Sequence, residues 1–337
     1  MDAENTTTIG RAPASWLPPR RFGVPRNSLM GQITLRISSG LLVLWAAITL
    51  SFISVHLAPG DIVSILIGEQ LRTPEVEAAI RAEWGGLDDP IFMQYLSYLG
   101  RILHGDFGRS YYLQTDVSQL LFSQMWPTLK LAGAALVVAI VFATVSAVLT
   151  AGKKLPRSIA AGVELVLIST PSFWLGIVLL FVFSFTLKLF PVSGDRNFAA
   201  LILPALSLGL SLGAVIGQVL REGLERALEE PFALTVRSWG TSNLVLRLRH
   251  GLRHASLPAV TLTGWLIGGL LSGAVITEAV FGRPGLGRIT VDAVLYHDLP
   301  VVLAVAIFSA FIYVVMSTIV DVLYLLIDPR LRTEGRR

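Results

Sequence analysis

Six stretches of the chain stay apolar long enough to cross a bilayer, at 39–58, 128–151, 158–187, 198–220, 259–276 and 301–327. A spanning helix needs roughly 20 mostly apolar residues to cover a hydrocarbon core about 30 Å thick. Backbone polar groups in lipid must be satisfied within their own segment, and these stretches are far too long for barrel strands, so the pattern predicts helices. Thr170-Pro171-Ser172 interrupts the third stretch. A proline there removes a donor and crowds the preceding turn, so the segment is either one kinked helix or two shorter ones.

Between the apolar stretches the polar segments carry their own signals. Thr73-Pro74-Glu75 supplies a cap, a first-turn proline and an acidic first turn, and Asp89-Pro90 opens a second start. Ile91, Tyr95, Tyr98, Leu99, Ile102 and Leu103 then recur at helical spacing, which predicts an amphipathic helix lying against the membrane domain, with docking of an outside partner as the alternative. The segment 221–258 is too short for an independent domain and reads as two short helices broken at Gly240. Its basic residues Arg237, Arg247, Arg249 and Arg253, with His250 and His254, either face headgroups or belong to a protein contact that moves the attached spans. The region 1–33, with Pro13, Pro18, Pro19 and Pro25 and no apolar period, reads as a flexible tail, and 328–337 as a second one. Between them lie a first span with an outside helical segment (34–127) and a core transmembrane domain (128–327).

Composition agrees with the pattern. Of 337 residues 53% are apolar and 15% charged, and a mean hydropathy of +0.67 is not that of an average soluble globule. No cysteine is present, which excludes disulfides, thiolate metal sites and a Cys nucleophile. The formal net charge of +4 is spread between apolar blocks, not gathered on one soluble face, so nucleic acid is not an expected partner. The first long apolar run follows a polar, Arg-rich stretch rather than a short positive n-region, so it is expected to stay as an anchor. With the N-terminus inside, the predicted inner segments carry 18 of the 27 Lys and Arg, and 59–127 carries four basic residues against nine acidic ones. That asymmetry predicts both termini in the cytoplasm.

Candidate chemistry is sparse. Gly152-Lys153-Lys154 lacks the earlier glycine and the hydroxyl of a phosphate-cradling loop, so the chain has no site for hydrolysing ATP. His56, His104, His250, His254 and His297 are dispersed, and the one pair four apart lacks further ligands, so no metal site is expected. Lys130, Glu164, Glu278 and Asp321 stand near predicted span ends, where snorkelling or helix-end pairing competes with a place on a solute path. Glu278 precedes a loop holding Gly282, Pro284, Gly285 and Gly287, which reads as a gate-like turn or an ordinary tight connection. An ion-gradient carrier would place ionisable groups at the midplane and show repeated halves, and neither is evident.

The segment VLREGLERALEEPFALTVRSWGTSNLVLRLRHGLRHASLPAV, with Gly240 and Leu257-Pro258 spaced by 18 residues, resembles the cytoplasmic loop of ABC importer permeases. Further blocks resemble the dipeptide, oligopeptide and nickel branch: APGD from 58, GLDDPIFMQYLSYLGRILHGDFGRS from 86, PSFWLG from 171 and FPVSG from 190. They continue with LPALSLG from 203, EAVFGRPGLGRITVDAVLYHDLPVV from 278 and VDVLYLLIDPRLR from 320. The sequence departs from that pattern at Leu234-Thr235-Val236, where Glu-Ala-Ala or Arg-Thr-Ala is usual, and at Trp239, where Lys is usual. The resemblance implies an all-α type I permease of about six spans in the bacterial inner membrane, with coupling helices between spans four and five. It implies a related second permease chain as heterodimer partner, two cytoplasmic ATPases that use ATP and Mg, and an external solute-binding protein. Leu234, Thr235, Val236, Arg237, Trp239, Gly240, Leu257 and Pro258 become the expected ATPase-coupling residues. Peptides are the expected cargo, with nickel or a metal chelate as the alternative.

Overall fold

The computed structural model describes residues 29–57, 73–84, 89–110 and 112–327. Both expected tails, apart from the start of the first helix, and the APGD block lie outside these residues. Four helices are long and apolar enough to cross a membrane, and six spans result if each of two bent pairs is one.

Helix α1 (Leu29–Leu57) is followed by α2 (Pro74–Trp84) and α3 (Ile91–Leu103). Thr73 caps α2, its Oγ1 accepting the Val76 N–H at 3.3 Å. Helix α3 lies against α1: Tyr98 is buried with Ile48 and Phe52, and Tyr95, Leu99 and Ile102 flank them. The Tyr95 and Thr49 hydroxyls meet at 2.8 Å and His56 Nε2 meets Gln94 Oε1 at 3.1 Å. Ile91 and Leu103, which the helical spacing included in the stripe, are exposed. They are the first and last residues of α3.

Helix α4 (Val117–Thr150) is capped by Asp116, whose Oδ1 accepts the Ser118 N–H at 2.7 Å. It starts well before residue 128, because Pro127 is accommodated inside the helix. The expected division at 127/128 therefore falls within one element. The third apolar stretch is two helices, α5 (Lys154–Ser169) and α6 (Ser172–Leu179), the latter running on through a π-helical turn, Leu180–Thr186. They meet at 103° across Thr170-Pro171, far more than a kink, since the residue before a proline is driven out of the helical region and Thr170 is extended at ψ 124°.

Helix α7 (Ala199–Glu229) continues nine residues past the predicted span, into α8 (Pro231–Ser238) and α9 (Asn243–Val245). A second π-helical turn, Leu246–Gly251, leads directly into α10 (Leu252–Val280), followed by α11 (Leu286–Leu295) and α12 (Leu299–Ile327).

The core is the seam between α4 and α7. Ala135, Ala139, Ala143 and Ala147 recur every fourth residue on α4 and are fully buried, facing Gly209, Gly213 and Gly217 on α7. A Cβ on Gly209 would lie 2.6 Å from the Ala135 carbonyl oxygen, and one on Gly213 would lie 2.8 Å from that of Ala139. Small residues let two backbones approach where lipid supplies no hydrophobic drive between helices. Val137, Val141 and Val145 on the other side of α4 are exposed, an inside-out arrangement that suits lipid and not water. A second cluster joins the start of α4 to α11 and α12 through Leu121, Leu286, Val301 and Phe308.

Candidate functional site

Two groups of predicted residues lie at opposite ends of α4. Beyond its C-terminal end is the helix–glycine–helix segment. Pro231 occupies the first turn of α8, where its missing N–H has no helical role, and Gly240 ends the segment at φ +74°. Space around Gly240 is open, so its requirement is the left-handed backbone and not close approach.

Helix α8 has two faces. Ala233 and Val236 are buried with Leu246, flanked by Leu228 and Phe232, and Phe232 stacks on His254 at 4.7 Å. Leu234, Thr235, Arg237 and Trp239 are exposed, Leu234 by 67% and Trp239 by 74%. Val236, grouped by the sequence with the contact residues, therefore faces inward, because the i, i+3 spacing from Ala233 sets it on the anchoring side. Pro258 is exposed, and the side chain of Leu257 lies outside the described residues.

Helix α7 leads into α8 across one extended residue, Glu230, and is tied to α5 by ion pairs. Arg221 donates to both oxygens of Glu164, from Nη1 to Oε1 at 2.8 Å and from Nη2 to Oε2 at 2.5 Å. Ser146 of α4 donates to the same Oε1 at 2.6 Å. Both charged side chains are buried. The sequence missed this triad by treating Glu164 as an interfacial end charge and Arg221 as part of a surface segment. A usable signal was present: a charge of each sign at the same end of two apolar helices.

Against the N-terminal third of α4, the predicted gate residues do converge. Glu278, fully buried, accepts the Thr128 hydroxyl at 2.6 Å and the Gly287 N–H at 2.8 Å. Thr128 in turn accepts the Leu286 N–H at 2.8 Å. The carboxylate leaves no room for a Cβ on Gly285, and the Val275 backbone leaves none on Gly287. Gly282 has φ +54°, and Pro284 lies between it and Gly285 in the turn. Arg283 reaches back to the Gly194 and Ala200 carbonyls at 3.2 and 3.0 Å. Burial lowers its guanidinium from the usual range, while Asp195 and Glu278 act to raise it.

A neighbouring link joins Ser110, whose hydroxyl donates to Asp298 at 2.5 Å, and the Tyr112 and Tyr296 rings stack at 3.9 Å. Sequence placed Asp298 at the end of a short helix without its partner, which lies 188 positions away. On α3, burial pushes the Tyr98 hydroxyl up to about 12, with Arg101 opposing, so it stays neutral. Lys130 stands 4.0 Å from Asp195, and the side chain of Asp321 lies outside the described residues. Among the described residues no three His, Asp or Glu side chains are gathered to hold a metal ion.

Long apolar helices around a small-residue seam, with a helix–glycine–helix segment presenting exposed Leu234 and Trp239 at one end, define a membrane permease that works with other chains. The chain belongs to the family described as binding-protein-dependent transport system inner membrane component, which residues 135–333 match. It is 34% identical over 285 residues to the glutathione transport system permease protein GsiC of Salmonella choleraesuis (strain SC-B67), covering 84% of this chain and 92% of that one. Against the GsiC protein of Escherichia coli (strain K12) it is 32% identical over 306 residues, covering 90% and 99%. A structure titled "Crystal structure of an amino acid ABC transporter with histidines" is similar with TM-score 0.45 and 19% identity, over 63% of this chain and 94% of that one. The chain is thus an inner-membrane permease subunit of an ABC importer of the peptide branch, and ATP hydrolysis is done by separate ATPase subunits.

Proposed function

We propose that the chain forms half of a translocation path for short peptides, glutathione-like tripeptides among them, handed over by an external binding protein. The support is its identity to GsiC proteins along nearly their whole length. Both termini and α8 are on the cytoplasmic side, in keeping with the basic character of the segments at that end. A related second permease completes the path, and two ATPases use ATP and Mg while this chain binds neither.

The observation that carries the mechanism is the two-faced α8. Ala233 and Val236 fix it to the permease, while Leu234, Thr235, Arg237 and Trp239 remain for an ATPase groove. Movement of that groove passes through α8 into α7 and α10, the helices it joins. At the other end the loop 282–287, held by Glu278, acts as the outer gate. Vesicles holding the complete complex, loaded with ATP and supplied with binding protein and labelled glutathione or dipeptide, should accumulate solute. Gly240→Trp should abolish uptake while leaving assembly intact; uptake at the wild-type rate, or uptake driven by an ion gradient without ATP, would refute this reading.

A further inference from the structure

Where α4 turns into α5 lies an open cavity of about 460 Å³ that shares only Arg237 with the exposed face of α8. One wall is the turn Gly152, Lys153 and Lys154 with Arg157 of α5. The other is the end of α7 with Arg237 and Arg247. Five cationic side chains thus meet two carboxylates, Glu225 and Glu229.

Glu225 is already engaged: it pairs with Arg157 at 3.1 Å and accepts the Gly152 N–H at 3.2 Å. Arg247 Nη1 is fixed to the Val148 carbonyl at 2.9 Å, but its Nε–H is buried with no acceptor. Lys153, Lys154 and Arg237 are exposed, and among the described residues none of them pairs with Glu229. The first turn of α5 contains no acidic residue and its cap no side-chain hydrogen bond, so its N–H groups and dipole add to the positive field. The excess positive charge, with the guanidinium of Arg247 anchored in the wall, suits an anion with several acceptor oxygens. Gly152 in its lining lies two residues past the end of the apolar α4, where headgroups would stand if α4 crosses the bilayer.

We propose that this cavity binds a phosphate group, carried by an anionic phospholipid headgroup or by a soluble phosphate compound. Lys153, Lys154 and Arg237 are its direct contacts, the guanidinium of Arg247 adds positive charge from the wall, and Asn243 and Glu229 are placed for hydroxyls on a headgroup. The proposal rests on the side of the membrane assigned above only for which leaflet supplies the lipid.

The full-length chain in nonionic detergent is titrated with dioctanoyl phosphatidylglycerol, dioctanoyl phosphatidylcholine or inorganic pyrophosphate, and thermal stability is read. Phosphatidylglycerol should raise Tm where phosphatidylcholine does not. The Lys153→Gln/Lys154→Gln variant should need about thirty-fold more of it, the loss expected for two cations at an anionic surface, and Arg237→Gln should act in the same direction. Glu229→Gln should strengthen binding, and Lys188→Gln, at the other end, should leave it unchanged. Stabilisation by pyrophosphate alone, lost in the same variants, supports the site with a soluble source. Equal responses of wild type and lysine variants, or equal effects of the two lipids without a pyrophosphate effect, would overturn it. Labelling of Ser242→Cys in inside-out and right-side-out vesicles, clean because the chain has no other cysteine, tests the side assignment separately.

Discussion

Arg221 and Glu164 form a two-bonded ion pair buried between α7 and α5, with Ser146 completing the carboxylate's shell. A pair of this kind contributes little over an apolar replacement, yet losing one member strands the other charge away from water. Arg221→Met alone should therefore destabilise the protein by about 3–5 kcal/mol. The double variant Glu164→Met/Arg221→Met should recover much of that, as a double-mutant cycle in detergent denaturation would show. Equal losses in the single and double variants would count against the pairing.

The Glu278 node should be sensitive to shape as well as charge. Glu278→Ala leaves the Thr128 hydroxyl and the Gly287 N–H without their acceptor, at about 1–3 kcal/mol for each buried group. Uptake should fall sharply with Glu278→Ala and less with Glu278→Gln, which keeps one acceptor. Protease accessibility of the 282–287 loop would report the release directly.

At Gly240 the constraint is φ +74° in open surroundings. Small and large β-branched residues should both be harmful, with a backbone cost of roughly 1–2 kcal/mol. Asn, which visits this region more readily, should retain more ATP-coupled uptake than Val. An order set by side-chain volume instead would mean that contact with the ATPase, not backbone shape, governs the position.

Gly213 faces the Ala139 backbone directly. Gly213→Leu should push α4 from α7 and lower the yield of monodisperse protein in size-exclusion chromatography, whereas Val141→Leu on the lipid side should not. Similar yields for both would remove the seam as the organising contact.

Asp298 is the acceptor for Ser110 and, at 3.4 Å, for the Tyr112 N–H. Asp298→Ala should free the 107–117 segment and raise its hydrogen exchange, while Asp298→Asn should do so less.

The spans were legible because hydropathy needs no knowledge of neighbours, and α8 with Gly240 because proline and glycine punctuate locally. The GRPGLG turn was legible for the same reason. What escaped the sequence depended on partners or on tolerance. Pro127 resembles a helix boundary yet lies inside α4, and Pro171 suggests a bend but not its size. Glu164 and Arg221 read as two unrelated end charges until folding sets them face to face, and Asp298 is silent without Ser110. Val236 belongs to a contiguous motif, but an eight-residue helix has two sides, and only packing says which one it takes.

Because Ala139 and Gly213 bring the α4 and α7 backbones together, with Leu131, Leu208 and Leu212 packed in the same core, those two helices can slide past one another only by repacking that core. Rearrangement during a transport cycle would then fall at the breaks that flank this pair: the right-angled break at Pro171, the Gly240 turn and the loop held by Glu278.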